Sequence, residues 1–135
     1  MTFDQLAQLF HSWGHCIRPE HYENFRTYLY KMMKKNRVML IDGPKGIEAI
    51  IMFHLTNSFE KLYKKGLWDI PEDEPDGSQI YIDKMICRKW SFSLRRKIQD
   101  TIEDYFPNVL EGYYHRAPYD RCVKIYKRGT KLCTA

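Results

Sequence analysis

The sequence predicts an α+β domain in which helices flank a mostly antiparallel central sheet. Two opening segments carry apolar residues at helical spacing, the middle of the chain has the pattern of a strand hairpin, and a long apolar strand at residues 78–88 runs directly into a basic amphipathic helix. At 135 residues the chain has the length of one domain with a sizeable core. We therefore expect a single domain over residues 1–135, with N-terminal helices in 2–35 and the sheet and basic helix in 37–128.

The two opening helices are predicted from caps and apolar spacing. Thr2 can accept the backbone N–H of Gln5 while the Gln5 side chain reaches back, which is a capping box. That helix should end near Gly14, or one turn later at Pro19. A second helix is predicted over 19–35, because proline is tolerated at a first helical position and lysines gather at the far end. The apolar stripes behind these predictions are Phe3, Leu6, Phe10, Trp13 and Ile17, then Tyr22, Phe25, Leu29 and Met32.

A hairpin is predicted next, with strands at 37–41 and 47–55 and a turn at 42–46 that contains two glycines and a proline. Residues 56–65 have helical character, and the acidic, proline-containing segment 68–77 should be a loop. The chain should close with a second hairpin, with strands at 109–116 and 121–127 joined by a short connection at 117–120.

The central strand and the basic helix after it should organise the fold. We expect this strand to be covered on both faces, with Ile80, Ile82 and Ile86 on one face and Tyr81, Asp83, Met85 and Cys87 on the other. After a turn at 89–93, the helix should bury Leu94, Ile98, Ile102 and Tyr105 and expose Arg95, Arg96 and Lys97. Such a turn can point backbone N–H groups outward, where they bind a phosphate.

Composition limits the possible partners and the compartment. The net charge of +5 favours an anionic partner such as nucleic acid, a phosphorylated cofactor, an acidic protein or a membrane surface. The cysteines Cys16, Cys87, Cys122 and Cys133 are scattered, so neither a disulfide framework nor a metal site is predicted. The apolar runs are too short to span a bilayer, and we expect a soluble, cytoplasmic protein.

The order of hairpin, long strand, turn, helix and return strand resembles the GNAT fold of N-acetyltransferases. In that family the turn after the long strand carries Arg/Gln-x-x-Gly-x-Gly/Ala and binds the pyrophosphate of coenzyme A. Here Arg88 leads the motif, and serine occupies both glycine positions, at Ser91 and Ser93. The resemblance implies that the donor binds at Arg88, Lys89, Ser91, Ser93, Leu94 and Arg95.

The chain is also similar to the RTX toxin-activating lysine acyltransferases, a branch of that fold whose donor is acyl carrier protein. The similarity rests on Trp13, His15-x-x-x-Pro19, the hairpin at 37–55, Pro75-Asp76-Gly77-Ser78, Ile82-Asp83, and Arg95 to Lys97 running into Phe106-Pro107. It implies that His15 and Asp83 are the catalytic pair. A histidine can take the proton that a lysine amine must lose before it attacks a thioester, and an aspartate can orient that histidine.

Each of these assignments has a structural alternative. His15 can simply lie at a helix end, with His21 and His54 as rival candidates, and Asp83 can form a salt bridge to Arg116 or Arg121. The basic run at 88–97 can be a solvated helix face. The aromatic and basic residues of the last hairpin would suit stacking on nucleic-acid bases, but alternating aromatics on strands are more often core pairs.

The sequence therefore leads to two function classes. The first is an N-acyltransferase that moves an acyl group from acyl-CoA or acyl carrier protein to an amine such as a protein lysine, without a metal. The second is a catalytically inactive GNAT-like binding or structural protein, for instance a virus-encoded virion or assembly component, which forms a homo-oligomer or larger assembly. The serines at both glycine positions motivate this alternative. Direct nucleic-acid binding ranks third.

Overall fold

The computed structural model describes residues 2–13, 19–116 and 121–129, apart from the side chains of residues 19, 116 and 121. The elements follow the predicted order. They are α1 (Phe3–Ser12), a 3-10 turn (Pro19–His21), α2 (Tyr22–Lys34), β1 (Val38–Gly43), β2 (Gly46–Thr56), α3 (Phe59–Tyr63), β3 (Gln79–Cys87), α4 (Phe92–Tyr105), β4 (Glu111–Arg116) and β5 (Arg121–Lys127). The predicted connection at 117–120 lies outside the described residues. No helix in the described ranges is long and apolar enough to cross a membrane.

The strands form one five-stranded sheet in the order β1-β2-β3-β4-β5. All neighbouring pairs are antiparallel except β3 and β4, which are parallel because α4 carries the chain back to the same end of the sheet. The predicted α+β class with a mostly antiparallel sheet is thus confirmed.

The predicted cap of α1 is also confirmed. The Thr2 hydroxyl accepts the Gln5 N–H at 3.2 Å, and the Gln5 side chain accepts the Thr2 N–H at 2.9 Å. The helix ends at Ser12 with Trp13 as its C-cap, one residue before Gly14, and the alternative end at Pro19 does not occur.

Helices cover the two faces of the sheet and create two cores. On one face, α1 and α2 pack against β2, and on the other face α4 packs against β2, β3 and β5. The first core includes Leu6, Phe10, Phe25, Tyr28, Leu29, Met32, Ile50 and Met52, and the second includes Ile51, Phe53, Ile80, Ile82, Leu94, Ile98, Ile102 and Tyr126. Tyr126 of the last hairpin is buried in the second core, as expected if the alternating aromatic residues of that hairpin serve packing.

Two predicted stripe residues are exposed. Tyr22 lies on the outer side of α2, and its predicted place in the core is taken by Tyr28, which follows Phe25 at helical spacing. Tyr105 is 75% exposed, because the buried row of α4 advances by four residues from Leu94 through Ile98 and Ile102 and reaches Phe106 instead.

Arg95 was expected on the surface of α4, but its side chain is buried. The residue lies beside Leu94 on the buried face, and Gln99 follows it one turn later. Gln99 Nε2 donates to the Ile125 carbonyl at 2.9 Å, so this polar part of the face packs toward β5. Arg96 is exposed, as predicted.

A β-bulge overturns the predicted faces of the central strand. Met52 pairs with Lys84 and Phe53 pairs with Ile82, so Asp83 is the extra residue of β3. Beyond the bulge the alternation changes face: Ile86 packs with α1 and α2, whereas Met85 and Cys87 join Ile80 and Ile82 on the α4 side. Asp83 and Lys84, consecutive in sequence, consequently share the α2 face.

Candidate functional site

The turn after β3 forms one wall of a basic cleft. The opposite wall is the tight β1–β2 turn, where Gly46 adopts a φ of 104° that favours glycine. The Arg88 N–H donates to the Glu48 carbonyl at 2.9 Å and holds the two turns together. The cleft has a volume of about 370 Å³ and is lined by Pro44, Lys45, Glu48, Arg88, Lys89 and Ser91. We call it the basic corner.

Positive charge dominates the basic corner. Lys45, Arg88 and Lys89 are exposed there. The carboxylate of Glu48 is already engaged, because Lys97 Nζ lies 3.0 Å from its Oε2. Among the described residues these three cations form no ion pair, so a multiply charged anion, such as a phosphate ester, would meet cations that are not neutralised.

Ser91, which stands where the resembled motif has glycine, shows no backbone strain. Its φ of −156° is ordinary extended backbone, and its hydroxyl caps α4 by accepting the Leu94 N–H at 3.0 Å. The N–H of Leu94 is thus used inside the protein, and the Arg95 N–H bonds to the Ser91 carbonyl at 3.0 Å. Of the six residues expected to bind the donor, Arg88, Lys89 and Ser91 line the cleft, and Ser93 is exposed in the first turn of α4.

Asp83 lies in a buried ionic cluster on the α2 face of the sheet. One of its oxygens, Oδ2, accepts a hydrogen bond from the Tyr28 hydroxyl and lies 3.1 Å from Lys65 Nζ and 3.2 Å from Lys84 Nζ. The same oxygen is 3.8 Å from His54 Nε2. The side chains are almost enclosed, with exposures of 7% for Asp83, 8% for Lys65 and 15% for Lys84. We call these five residues the Asp83 cluster.

The cluster keeps Asp83 ionised. Burial disfavours the carboxylate, but the contact with His54, the charges of Lys84 and Lys65, and the Tyr28 hydrogen bond together hold its pKa well below the usual value. Burial, reinforced by the negative charge of Asp83, raises the pKa of Tyr28, so the phenol stays protonated. Burial also lowers the pKa of Lys84, against the attraction of Asp83.

The hydrogen bonds place a proton on Nε2 of His54. Tyr28 has one hydroxyl proton, and it donates that proton to Asp83. The contact of 3.2 Å between the Tyr28 oxygen and His54 Nε2 therefore requires that Nε2 carry hydrogen and donate. Because His54 is only 2% exposed, this imidazole is a fixed part of the interior.

Aromatic contacts extend the cluster across the sheet. The His54 ring stacks with the Tyr81 ring at 6.3 Å between centroids, with 24° between the planes. The Tyr81 hydroxyl lies 3.3 Å from Nδ1 of His115 on β4, and the Tyr63 ring of α3 lies 5.1 Å from the His115 ring. A row of polar rings thus runs from Asp83 toward the edge where β3 and β4 separate.

The predicted partners of Asp83 are only partly those in the structure. His15 lies outside the described residues, as do the side chains of Arg116 and Arg121. His54, one of the rival histidines, is the one that meets Asp83, while His21 lies beside Trp68. The helical spacing of α2 could have identified Tyr28 as buried, but no sequence pattern pointed to Lys65 or Lys84.

The basic corner and the Asp83 cluster occupy different parts of β3. Asp83 and Arg88 are five positions apart in the sequence, which corresponds to about 16 Å along an extended strand. No protein-family model, curated protein or solved structure matches the chain.

Proposed function

We propose that the protein is a GNAT-like N-acyltransferase that moves an acyl group from acyl-CoA or acyl carrier protein to an amine such as a protein lysine. The observation that carries this proposal is the separation of the two parallel strands. β3 and β4 pair only from Gln79↔Glu111 to Ile82↔Tyr114, while β3 continues along β2 to Cys87. The proposal places the extended pantetheine arm of the donor in the gap between the unpaired parts of β3 and β4.

The basic corner supplies the charge that such a donor needs. Coenzyme A and the prosthetic group of acyl carrier protein both carry phosphate esters next to a pantetheine arm. Arg88 and Lys89 follow β3 directly, and Lys45 faces them from the β1–β2 turn. Arginine and lysine at the start of a helix favour phosphate binding through charge and hydrogen bonding.

The resemblance assigns the proton transfer to His15 and the orienting role to Asp83. A carboxylate that is ionised at neutral pH is suited to stabilise an imidazolium. Asp83 meets that requirement electrostatically, since the Asp83 cluster holds its pKa well below the usual value by the contacts described above, despite its burial.

Calorimetry and transfer assays test the proposal together. We expect acyl-CoA or acyl carrier protein to bind, and mass spectrometry to detect acylation of a lysine-containing peptide. The double variant Arg88→Gln/Lys89→Gln should weaken donor binding at least tenfold. A matched control, Lys64→Gln/Lys127→Gln, changes the net charge equally at exposed sites away from the basic corner and should bind normally.

Two results would contradict the proposal. The first is wild-type protein that neither binds acyl-CoA or acyl carrier protein nor transfers an acyl group. The second is equal donor affinity in the Arg88/Lys89 variant and the wild type, because the donor would then not bind at the basic corner.

A second candidate, a catalytically inactive GNAT-like binding protein, is favoured by one observation. The Asp83 carboxylate is 7% exposed and already contacts the ammonium groups of Lys65 and Lys84, which is the arrangement of a structural ion cluster. Such a protein would show self-association in light scattering and no thioester turnover. Any acyl transfer by the wild-type protein would rule it out.

A further inference from the structure

His115 lies at the point where the central sheet opens. The last paired residues of β3 and β4 are Ile82 and Tyr114, so His115 is the first β4 residue beyond the parallel ladder. Its side chain is half-buried and contacts Tyr81 and Tyr63, on the same face as the Asp83 cluster. A group at this position borders the gap assigned above to the pantetheine arm.

Two tyrosines and a cross-strand cysteine surround the imidazole. The Tyr81 hydroxyl lies 3.3 Å from Nδ1, and the Tyr63 ring lies against the His115 ring. Cys122 of β5 pairs directly opposite His115, with Glu60 of α3 near enough to act on the thiol electrostatically. Titratable groups thus approach His115 from β3, α3 and β5.

Cys122 is a poor nucleophile in this setting. Burial, with a further contribution from Glu60, raises the pKa of its thiol to about 11, so the reactive thiolate is scarce at neutral pH. A cysteine–histidine dyad with an acyl-cysteine intermediate is therefore disfavoured. The remaining chemical use of His115 is proton transfer.

We infer that His115, in place of the His15 implied by the resemblance, is the base that takes the proton from the acceptor amine at the opening between β3 and β4. This inference rests on the proposed acyl-transfer function. The acceptor ammonium gives one proton to Nε2 of His115, and the neutral amine attacks the thioester carbonyl. As the tetrahedral intermediate collapses, the C–S bond breaks and the second amine proton passes to the thiolate, giving an amide and a thiol. The imidazolium returns its proton to solvent.

Tyr81 has a positioning role in this scheme. For Nε2 to accept a proton, Nδ1 must carry hydrogen and donate it to the Tyr81 oxygen. Tyr81 is itself held by the stacked His54 ring, which links the orientation of His115 to the Asp83 cluster. The carboxylate thus acts on the base through intervening side chains.

The test measures single-turnover transfer from saturating acyl-CoA to a lysine-containing peptide between pH 6 and 10. Variants His115→Gln, His15→Gln and Tyr81→Phe are compared with His11→Gln, a control on the exposed side of α1. His115→Gln should reduce the rate at pH 7 by about 100-fold or more. The rate should recover as the pH approaches the pKa of the free amine, about 10.4, because the amine then no longer needs a base. Tyr81→Phe should change the pH profile, and His11→Gln should behave as wild type.

The outcomes separate the inference from the proposed function. If wild type transfers the acyl group and His115→Gln is unaffected, or loses the same factor at every pH, His115 is not the base although the acyltransferase proposal stands. If His15→Gln is the only variant whose transfer rate falls in a pH-dependent way, His115 is likewise not the base and the acyltransferase proposal stands. If wild type neither binds nor transfers the acyl group, the proposed function fails and the inference with it. Should His115→Gln misfold, the ¹⁵N imidazole resonances of wild type provide the test: a non-reactive thioether analogue of acyl-CoA should shift those of His115, and an absence of change overturns the inference.

Discussion

Asp83→Asn is the substitution from which we expect the largest loss of stability. The asparagine has nearly the same shape, but it removes the negative charge that Lys65 Nζ and Lys84 Nζ contact at 3.1 and 3.2 Å. Two almost enclosed ammonium groups would then have lost their shared counter-ion. Breaking a buried ion pair in this way costs about 3–5 kcal/mol, a large part of the 5–15 kcal/mol that is typical for a whole domain.

The assay is urea unfolding at pH 7, followed by circular dichroism. With a slope of about 2 kcal/mol per molar urea, a loss of about 4 kcal/mol lowers the midpoint by about 2 M. Asp42→Asn, at an exposed position of β1, is the matched control and should change stability by less than about 0.5 kcal/mol. The double variant Asp83→Asn/Lys84→Met should recover part of the loss, because it removes one of the two orphaned charges.

The contribution of Asp83 to the free energy of unfolding depends on pH. The folded-state pKa of Asp83 is lowered, so its contribution is complete above the unfolded pKa of about 3.9 and is lost as the pH falls below it. The stability difference between wild type and Asp83→Asn should therefore be constant from pH 7 to about 5 and then shrink toward pH 3. A loss under 1 kcal/mol at pH 7, or a difference that grows on acidification, would refute this account of the cluster.

Three further substitutions test the packing around the site by chemical unfolding. Asp73→Asn should cost about 1–2 kcal/mol, since it weakens the two hydrogen bonds from Arg37 that hold the acidic loop against the hairpin; an unchanged midpoint would contradict this role. Gly77→Ala should cost about 1–3 kcal/mol, because a Cβ there would lie 2.6 Å from the backbone of Thr56. An unchanged midpoint would mean that the end of β2 at Thr56 moves easily. Ser91→Ala should cost about 1 kcal/mol through loss of the α4 cap, whereas Ser91→Gly should cost less.

The elements could be predicted from the sequence because their signals are local. The Thr2 cap lies three residues from its Gln5 partner, and the apolar row of α4 repeats every four residues. The first hairpin is specified by its own turn, with glycine at positions 43 and 46. Such patterns need no knowledge of the rest of the fold.

The site was only partly predictable because its residues come from separate elements. Asp83 was identified as a carboxylate in an apolar strand that needed a partner, and the structure supplies partners from α2, β2 and the segment after α3. A single sequence contains no information on which distant side chains converge. The neighbouring Lys84 was not recognised as a partner because strict alternation places it on the opposite face.

The bulge at Asp83 explains why strict alternation predicts the wrong faces for the end of β3. It also explains why Asp83 and Lys84 lie together in the Asp83 cluster. Without the bulge, Asp83 would lie on the α2 face and Lys84 among the apolar side chains under α4, where an unpaired ammonium would be costly. The extra residue turns Lys84 to the α2 face, where its Nζ also donates to the Leu67 carbonyl at 2.8 Å and lies 4.8 Å from the Trp68 ring. An insertion that breaks the ladder is tolerated here because it lets two opposite charges neutralise each other. The bulge directly follows Ile82, the last β3 residue that pairs with β4, so the irregular point of the strand is also the point at which the proposed donor gap begins.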